Sequence, residues 1–116
     1  MQVHLSRPDI TEQEIEAVCK VLCSPNLSLG PKLSEFEQAF CDYIGVRRAV
    51  AVNSGTSGLF LCLRALGIGS GDEVITTPFT FIASATSIMM TGAKCVFADI
   101  DPETLNVDPA NIESKI

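Results

Sequence analysis

Ala49-Val50-Ala51-Val52-Asn53-Ser54-Gly55-Thr56-Ser57-Gly58-Leu59 is the stretch whose reading decides the fold. Four apolar residues lead into small polar residues and glycines. A helical pattern follows, with Leu59, Cys62, Leu63 and Leu66 on one buried stripe and Gly67 closing it. This order predicts a strand, a tight turn and a helix start. The first N–H groups of a helix have no acceptor inside it and sit at the positive end of its dipole, so such a turn attracts an anion. Gly55 and Gly58 let a ligand approach the backbone closely, and Ser54, Thr56 and Ser57 add hydroxyl donors. Phosphate binding without a cationic side chain fits these residues, and so does an ordinary N-capped turn.

The rest of the composition narrows the class. A chain of 116 residues with 47% hydrophobic content has the length and the apolar material of one small globular domain. A formal charge of −6 and a pI near 4.6, with no basic stripe, argue against general binding to nucleic acid or to anionic membranes. Five cysteines without a CxxC pair, and His4 as the one imidazole, predict reduced, mostly buried thiols in a cytoplasm and no zinc or other metal site. The N-terminal residues are interrupted by His4, Arg7 and Asp9, unlike a signal peptide, and Phe79 to Ala93 is too short and too rich in Ser and Thr to span a bilayer.

Outward from the organising turn, the elements alternate. Thr11 and Glu14 form a capping box ahead of Ile15, Val18, Cys19 and Leu22, which predicts an amphipathic helix from about Glu12 to Cys23. Ser24-Pro25-Asn26 ends it. Pro31 opens a second helix with Leu33, Phe36, Phe40 and Ile44 on one face and Gly45 as its stop. The acidic residues of both helices read as solvated faces. Gly67-Ile68-Gly69-Ser70-Gly71 follows a helix and precedes a strand, the reverse of a dinucleotide fingerprint, so it reads as a connection.

Glu73 to Thr77 is the next predicted strand, Phe79-Thr80-Phe81 opens a helix that Gly92 ends, and Lys94 to Asp99 is a further strand. Continuous apolar strands alternating with helices predict a parallel sheet covered on both faces, with ligands beyond the carboxyl ends of its strands. Ser54 to Gly58 and Phe79 to Phe81 fall at those ends and could meet around one ligand. Asp99 and Asp101 read as a strand end and a turn, and Asp108-Pro109 as the cap and first residue of a helix, with Val107 and Ile112 spaced as a hydrophobic staple.

The chain resembles the N-terminal part of the DegT/DnrJ/StrS family of sugar aminotransferases, which depend on pyridoxal 5'-phosphate (PLP). The resemblance runs along essentially the whole chain. It is carried by Asp9-Ile10-Thr11, Leu29-Gly30-Pro31-Lys32, Phe36-Glu37, the stretch from Ala49 to Leu59, Ala65 to Gly69, Gly71 to Ile75, Pro78 to Phe81, Gly92-Ala93 and Asp99 to Thr104. It implies an α/β fold: a partial three-layer sandwich, the N-terminal part of the large domain of the aspartate aminotransferase type (fold type I). Residues 1–47 would be an N-terminal helical segment and residues 48–116 the first part of the PLP-binding large domain.

The resemblance implies that the turn at Gly55, Thr56 and Ser57 binds the cofactor phosphate and that Phe81 stacks on its ring, although Phe81 as plain core also fits. Ser28 and Gly30 would lie near the sugar, and Thr80 would help orient the ring. It further implies a cytoplasmic homodimer, or a complementing chain, that exchanges amino and keto groups between an amino acid donor such as glutamate and a keto sugar carried by a nucleotide, in amino-sugar and polysaccharide biosynthesis. The family also needs a lysine that forms a Schiff base with the cofactor and an acidic group at its pyridine nitrogen. None of Lys20, Lys32, Lys94 and Lys115 matches that lysine motif. The 116 residues are therefore expected to be a fragment, a truncation product or one piece of a split protein, noncatalytic alone, with open apolar edges. An anion-binding remnant, a purely structural fragment and part of a related lysine-less sugar dehydratase are the other readings.

Overall fold

The computed structural model describes residues 5–116, so His4 lies outside it. In chain order the elements are α1 (Glu12–Leu22), α2 (Pro31–Ile44), α3 (Gly55–Ala65), β1 (Glu73–Thr76), α4 (Ala83–Thr91), β2 (Lys94–Phe97) and α5 (Pro109–Glu113). They fall into two compact units, Met1–Ala51 and Val52–Ile116.

In the first unit, α1 begins at the predicted capping box. The Thr11 hydroxyl accepts from the Gln13 amide at 3.3 Å, and Glu14 accepts from the Thr11 amide at 2.6 Å. The Thr11 hydroxyl and then its amide hold the Glu14 carboxyl below the usual range. α2 starts with Pro31 and stops at Gly45, whose φ of 78° is left-handed. Gly30 precedes α2 for a steric reason: a Cβ there would lie 2.4 Å from the backbone oxygen of Asn26. The apolar stripes are less covered than their period predicts. α1 has no buried residue, with Leu22 64% exposed, and α2 buries Cys41 alone. Periodicity fixed the helices, but burial also needs a facing element.

Residues 49–52 are not a strand, which corrects the sequence expectation. A ladder needs a partner, and none among the described residues pairs with this segment. The Ala51 amide instead donates to the Glu37 carboxylate at 2.9 Å.

In the second unit, β1 and β2 pair in parallel, in register from Glu73 opposite Lys94 to Thr76 opposite Phe97. The Ala98 amide continues the pairing to Thr76 O at 2.9 Å. The parallel crossover runs through α4, which buries Ala83, Ala85, Ser87, Ile88 and Thr91; Ala93 and Ala98 complete the core. The two buried hydroxyls are satisfied locally, Ser87 donating to Ser84 O at 3.2 Å and Thr91 to Ile88 O at 2.7 Å.

Several boundaries differ from expectation. α4 begins at Ala83, not at Phe79 to Phe81, because the chain after Pro78 first makes a turn in which the Phe79 amide donates to Thr77 Oγ1 at 3.2 Å. The strands end at Thr76 and Phe97. Two strands do not make a sheet covered on both faces: Phe97 is 48% exposed, and Leu59 and Leu66 of the predicted α3 stripe are exposed as well. The thiols are also less buried than predicted, for Cys19, Cys23 and Cys62 are exposed, Cys95 is half-buried and Cys41 is buried. Cys19 lies on α1, which buries no residue, and Cys62 lies on α3, whose apolar stripe is exposed at Leu59.

The two aspartates read as turn residues have that role. Asp101 Oδ1 accepts from the amides of Thr104 at 2.7 Å and Glu103 at 3.0 Å, and Asp99 Oδ1 from Ile100 N at 2.8 Å. The Thr104 amide leads in holding the Asp101 carboxyl below its ordinary value. Ile100 and Val107 form an antiparallel bridge, and Asp108 caps α5 through the Ala110 amide at 2.9 Å, with Pro109 as first residue.

Candidate anion site at the start of α3

Ser54 caps α3 in an extended conformation, φ −162° and ψ 158°. Its Oγ accepts from the Ser57 amide at 3.1 Å and donates to Ser57 Oγ at 3.0 Å. The Gly58 amide enters the helix by donating to Ser54 O at 3.0 Å. The cap thus uses Ser57 N and leaves the amides of Gly55 and Thr56 without an acceptor among the described residues. Two free N–H groups at the start of an eleven-residue helix, beside the roughly half positive charge of its dipole, form a donor set suited to an anion. A Cβ added at Gly55 would meet nothing within 4 Å beyond its chain neighbours and its own helix backbone, so the side-chain position beside these donors is open. Ser54 was expected to donate toward the ligand; its hydroxyl is committed to the cap, while the Ser57 hydroxyl proton is free to point elsewhere.

The start of α4 comes to the same end of the sheet. The turn after α3 is anchored by Ile68 N donating to Leu63 O at 3.0 Å, and it meets the end of α4: a Cβ on Gly69 would lie 3.8 Å from Thr91 O, and one on Gly92 would lie 2.8 Å from Ser70 Oγ. That turn leads into β1, where Lys94 N donates to Asp72 O at 2.9 Å. Both helices therefore finish at the amino end of β1 and β2. Their starts lie about 16 Å and 13 Å away, one helix length each, at the carboxyl end. Sequence order alone placed the two turns at strand ends, and the packing of α3 with α4 supplies the shared direction.

Phe81 stands in the loop before α4 and is 76% exposed, and Phe79 is 61% exposed. In this structure Phe81 is not core. Thr80 Oγ1 lies 3.1 Å from Ser84 Oγ, so the first turn of α4 restrains the threonine next to Phe81. Ser84 is a residue that sequence reasoning missed; its spacing of four from Thr80 was the available signal. A hollow of about 250 Å³ opens between α3, β1 and α4, lined on its apolar sides by Leu59, Leu63, Val74 and Ile88.

Ser28 and Gly30 belong to the first unit. Gly30 lines a hollow of about 320 Å³ with Leu27, Leu29 and Lys32, and Ser28 is in the exposed loop beside it. Leu29 takes a left-handed φ of 51°, a conformation uncommon for a leucine. The close approach to Asn26 O accounts for Gly30 without any ligand.

One lysine of the second unit, Lys94, stands elsewhere. Lys94 and Glu73 open the two strands, so Lys94 is at the amino end of the sheet, opposite the α3 start, with its Nζ 2.6 Å from the Glu73 carboxylate. Lys20 pairs with Glu16 at 3.8 Å and Lys32 pairs with Glu35. No helix among the described residues is long and apolar enough to cross a membrane.

The chain is similar in sequence and in fold to known proteins. The spore coat polysaccharide biosynthesis protein SpsC of Bacillus subtilis is 52% identical over 111 residues, 96% of this chain and 28% of SpsC. Spr1654 of Streptococcus pneumoniae, solved in its PLP form, superposes with a TM-score of 0.95 at 39% identity, covering 100% of this chain and 30% of that one. Helicobacter pylori PseC, an aminotransferase involved in the biosynthesis of pseudoaminic acid, superposes with a TM-score of 0.90 at 36% identity, covering 97% and 31%. The chain thus spans under a third of the length of these relatives. A sequence profile matches residues 8–116, and with it the chain belongs to the DegT/DnrJ/EryC1/StrS aminotransferase family.

Proposed function

We propose that this chain forms the cofactor-phosphate cradle of a PLP-dependent aminotransferase acting on a keto sugar carried by a nucleotide, with an amino acid such as glutamate as donor. The observation that carries the reading is the pair of unsatisfied amides at Gly55 and Thr56, beside an open side-chain position at Gly55. They would hold two phosphate oxygens, and the Ser57 hydroxyl would donate to the third position. The exposed ring of Phe81, at the same end of the sheet, would cover a flat heteroaromatic face. Thr80, restrained by Ser84, would fix the ring's tilt. When bound, the cofactor supplies an electron sink for bond breaking at the amino-bearing carbon. Relatives connected with spore coat polysaccharide and with pseudoaminic acid support a sugar substrate. Ser28 and Gly30 would serve that sugar, residues 1–47 and 48–116 would act as helical segment and cofactor domain, and the protein would work in the cytoplasm as a homodimer or with a complementing chain.

Within the second unit, Lys94 is at the opposite end of the sheet from the cradle, paired with Glu73, and none of Lys20, Lys32, Lys94 and Lys115 matches the family's lysine motif. The 116 residues are thus proposed to bind PLP through its phosphate, without a covalent bond and without turnover. Titration of the chain with pyridoxal 5'-phosphate, with pyridoxal and with inorganic phosphate tests this. Binding that needs the phosphate ester, is competed by inorganic phosphate and leaves no lysine labelled after borohydride supports the reading. Equal affinity for pyridoxal, or a unique labelled lysine, refutes it.

A further inference from the structure

Cys19 and Cys23 stand one helical turn apart at the end of α1, and both are exposed. The Cys23 amide donates to Cys19 O at 3.0 Å, so the α-helical repeat continues through the second cysteine and stacks the two Cβ atoms on one face. Side chains four apart on a helix have Cβ atoms about 5–6 Å from each other. A disulfide needs about 3.5–4.5 Å, so a direct S–S bond would distort the turn. One atom placed between the two sulfurs, with bonds near the ~2.3 Å typical of metal–thiolate contacts, removes that mismatch.

The surroundings limit the kind of atom. No group of three or more His, Cys, Asp or Glu residues gathers anywhere among the described residues, so a tetrahedral zinc centre lacks ligands here. The adjacent Glu16 carboxylate is paired with Lys20 at 3.8 Å. Two soft sulfur donors and no third ligand suit a soft centre with two open positions. We infer that Cys19 and Cys23 form a dithiol site for a thiophilic acceptor of this type, of which a monosubstituted trivalent arsenic is the representative. An organoarsenic oxide would react with both thiols, forming two As–S bonds; its oxygen leaves with the two thiol protons as one water, and arsenic stays trivalent. The bridge closes the last turn of α1, and chelation makes it resist exchange with a monothiol.

The full chain treated with one equivalent of phenylarsine oxide, followed by intact-mass and peptide mass spectrometry, tests the assignment. The expected product carries one phenylarsenic group, has lost two alkylatable thiols, maps to the peptide holding Cys19 and Cys23, and survives millimolar 2-mercaptoethanol. C19S and C23S should each yield only adducts that the monothiol removes, a loss of retention of at least tenfold, whereas C62S should behave as the parent chain. A monothiol-resistant adduct that persists in C19S or C23S, or one that maps to another pair, overturns the inference. So does an adduct that the monothiol removes from the parent chain.

Discussion

Replacing Gly55 with proline separates the fold of the cradle from its binding. Proline is accepted at the first position of a helix, where the missing N–H is already an orphan. Here the Gly55 amide has no acceptor among the described residues, a Cβ at this position meets nothing within 4 Å, and the preceding Ser54 has the extended backbone that a following proline requires. The substitution breaks no hydrogen bond, and by restricting the unfolded chain it should raise stability by about 0.4–1 kcal/mol. The bound phosphate, however, loses one charge-assisted donor, worth about 1.5–3 kcal/mol. Affinity should therefore fall roughly 10- to 150-fold. Gly55→Ala keeps the amide and adds a Cβ, so it measures any steric part of the loss. The assays are urea unfolding for the fold and fluorescence titration with pyridoxal 5'-phosphate for binding. If Gly55→Pro unfolds at a similar or higher urea concentration yet binds as tightly as Gly55→Ala, the amide does not hold the phosphate and the reasoning fails.

Gly92→Ala should destabilise by about 1–2 kcal/mol, because the position has a φ of 87° that a side chain resists and its Cβ would press on Ser70 Oγ at 2.8 Å; an unchanged urea midpoint would count against this. Glu14 has its folded pKa below the ordinary value, so its stabilising contribution is present above the usual carboxylate range and disappears as pH falls through the depressed folded value. Glu14→Gln should remove that acid-side slope, and an identical pH–stability profile in the variant would refute the assignment. Burial pushes the Cys95 thiol up while Cys62 is exposed, so iodoacetamide at neutral pH should alkylate Cys62 first in a peptide-mapped time course; reversal of that order contradicts the burial. Exposed Leu66, Phe79, Phe81, Met89 and Met90 should make the chain bind 8-anilinonaphthalene-1-sulfonate and self-associate, and a monomer that unfolds cooperatively without enhancing the dye would contradict this.

Features set by neighbours in sequence were legible, and those set by distant partners were not. The Thr11 capping box, the Gly45 stop and the Asp108-Pro109 helix start each involve residues within four positions of one another, and each has the predicted geometry. β1 and β2 were legible because their pairing runs through one local crossover helix. Residues 49–52 have the same apolar character, yet character alone does not make a ladder. The buried-thiol expectation failed similarly, for whether Cys62 is covered depends on what lies across the hollow beside α3, not on the period of α3. At the candidate site, the run of small residues and glycines before an apolar helical period marked Ser54 to Gly58 as a helix start, and so it is, although residues 49–52 before it are no strand; that pattern could not divide the labour within the stretch. Only the hydrogen bonds show Ser54 and Ser57 N spent on the cap and the amides of Gly55 and Thr56 left over.

That division explains why the proposed cradle reads so faintly as chemistry. A phosphate site built on lysine or arginine announces itself by charge, whereas one built on backbone amides shows only in the residues that stay out of the way. Ser54 contributes by satisfying Ser57 N, which fixes the first turn of α3 and aims the preceding amides outward. At Gly55 the place a Cβ would take is open, with nothing within 4 Å beyond its chain neighbours and its own helix backbone, so the proposed ligand would have room there. Gly58 has a separate part: a Cβ there would touch Val52 Cγ2 at 3.5 Å, ordinary contact, so the incoming chain packs closely on the helix without strain. The choice of which amides stay free at the start of α3 is then the consequence of one local decision, the capping of the helix by the Ser54 hydroxyl through Ser57 N.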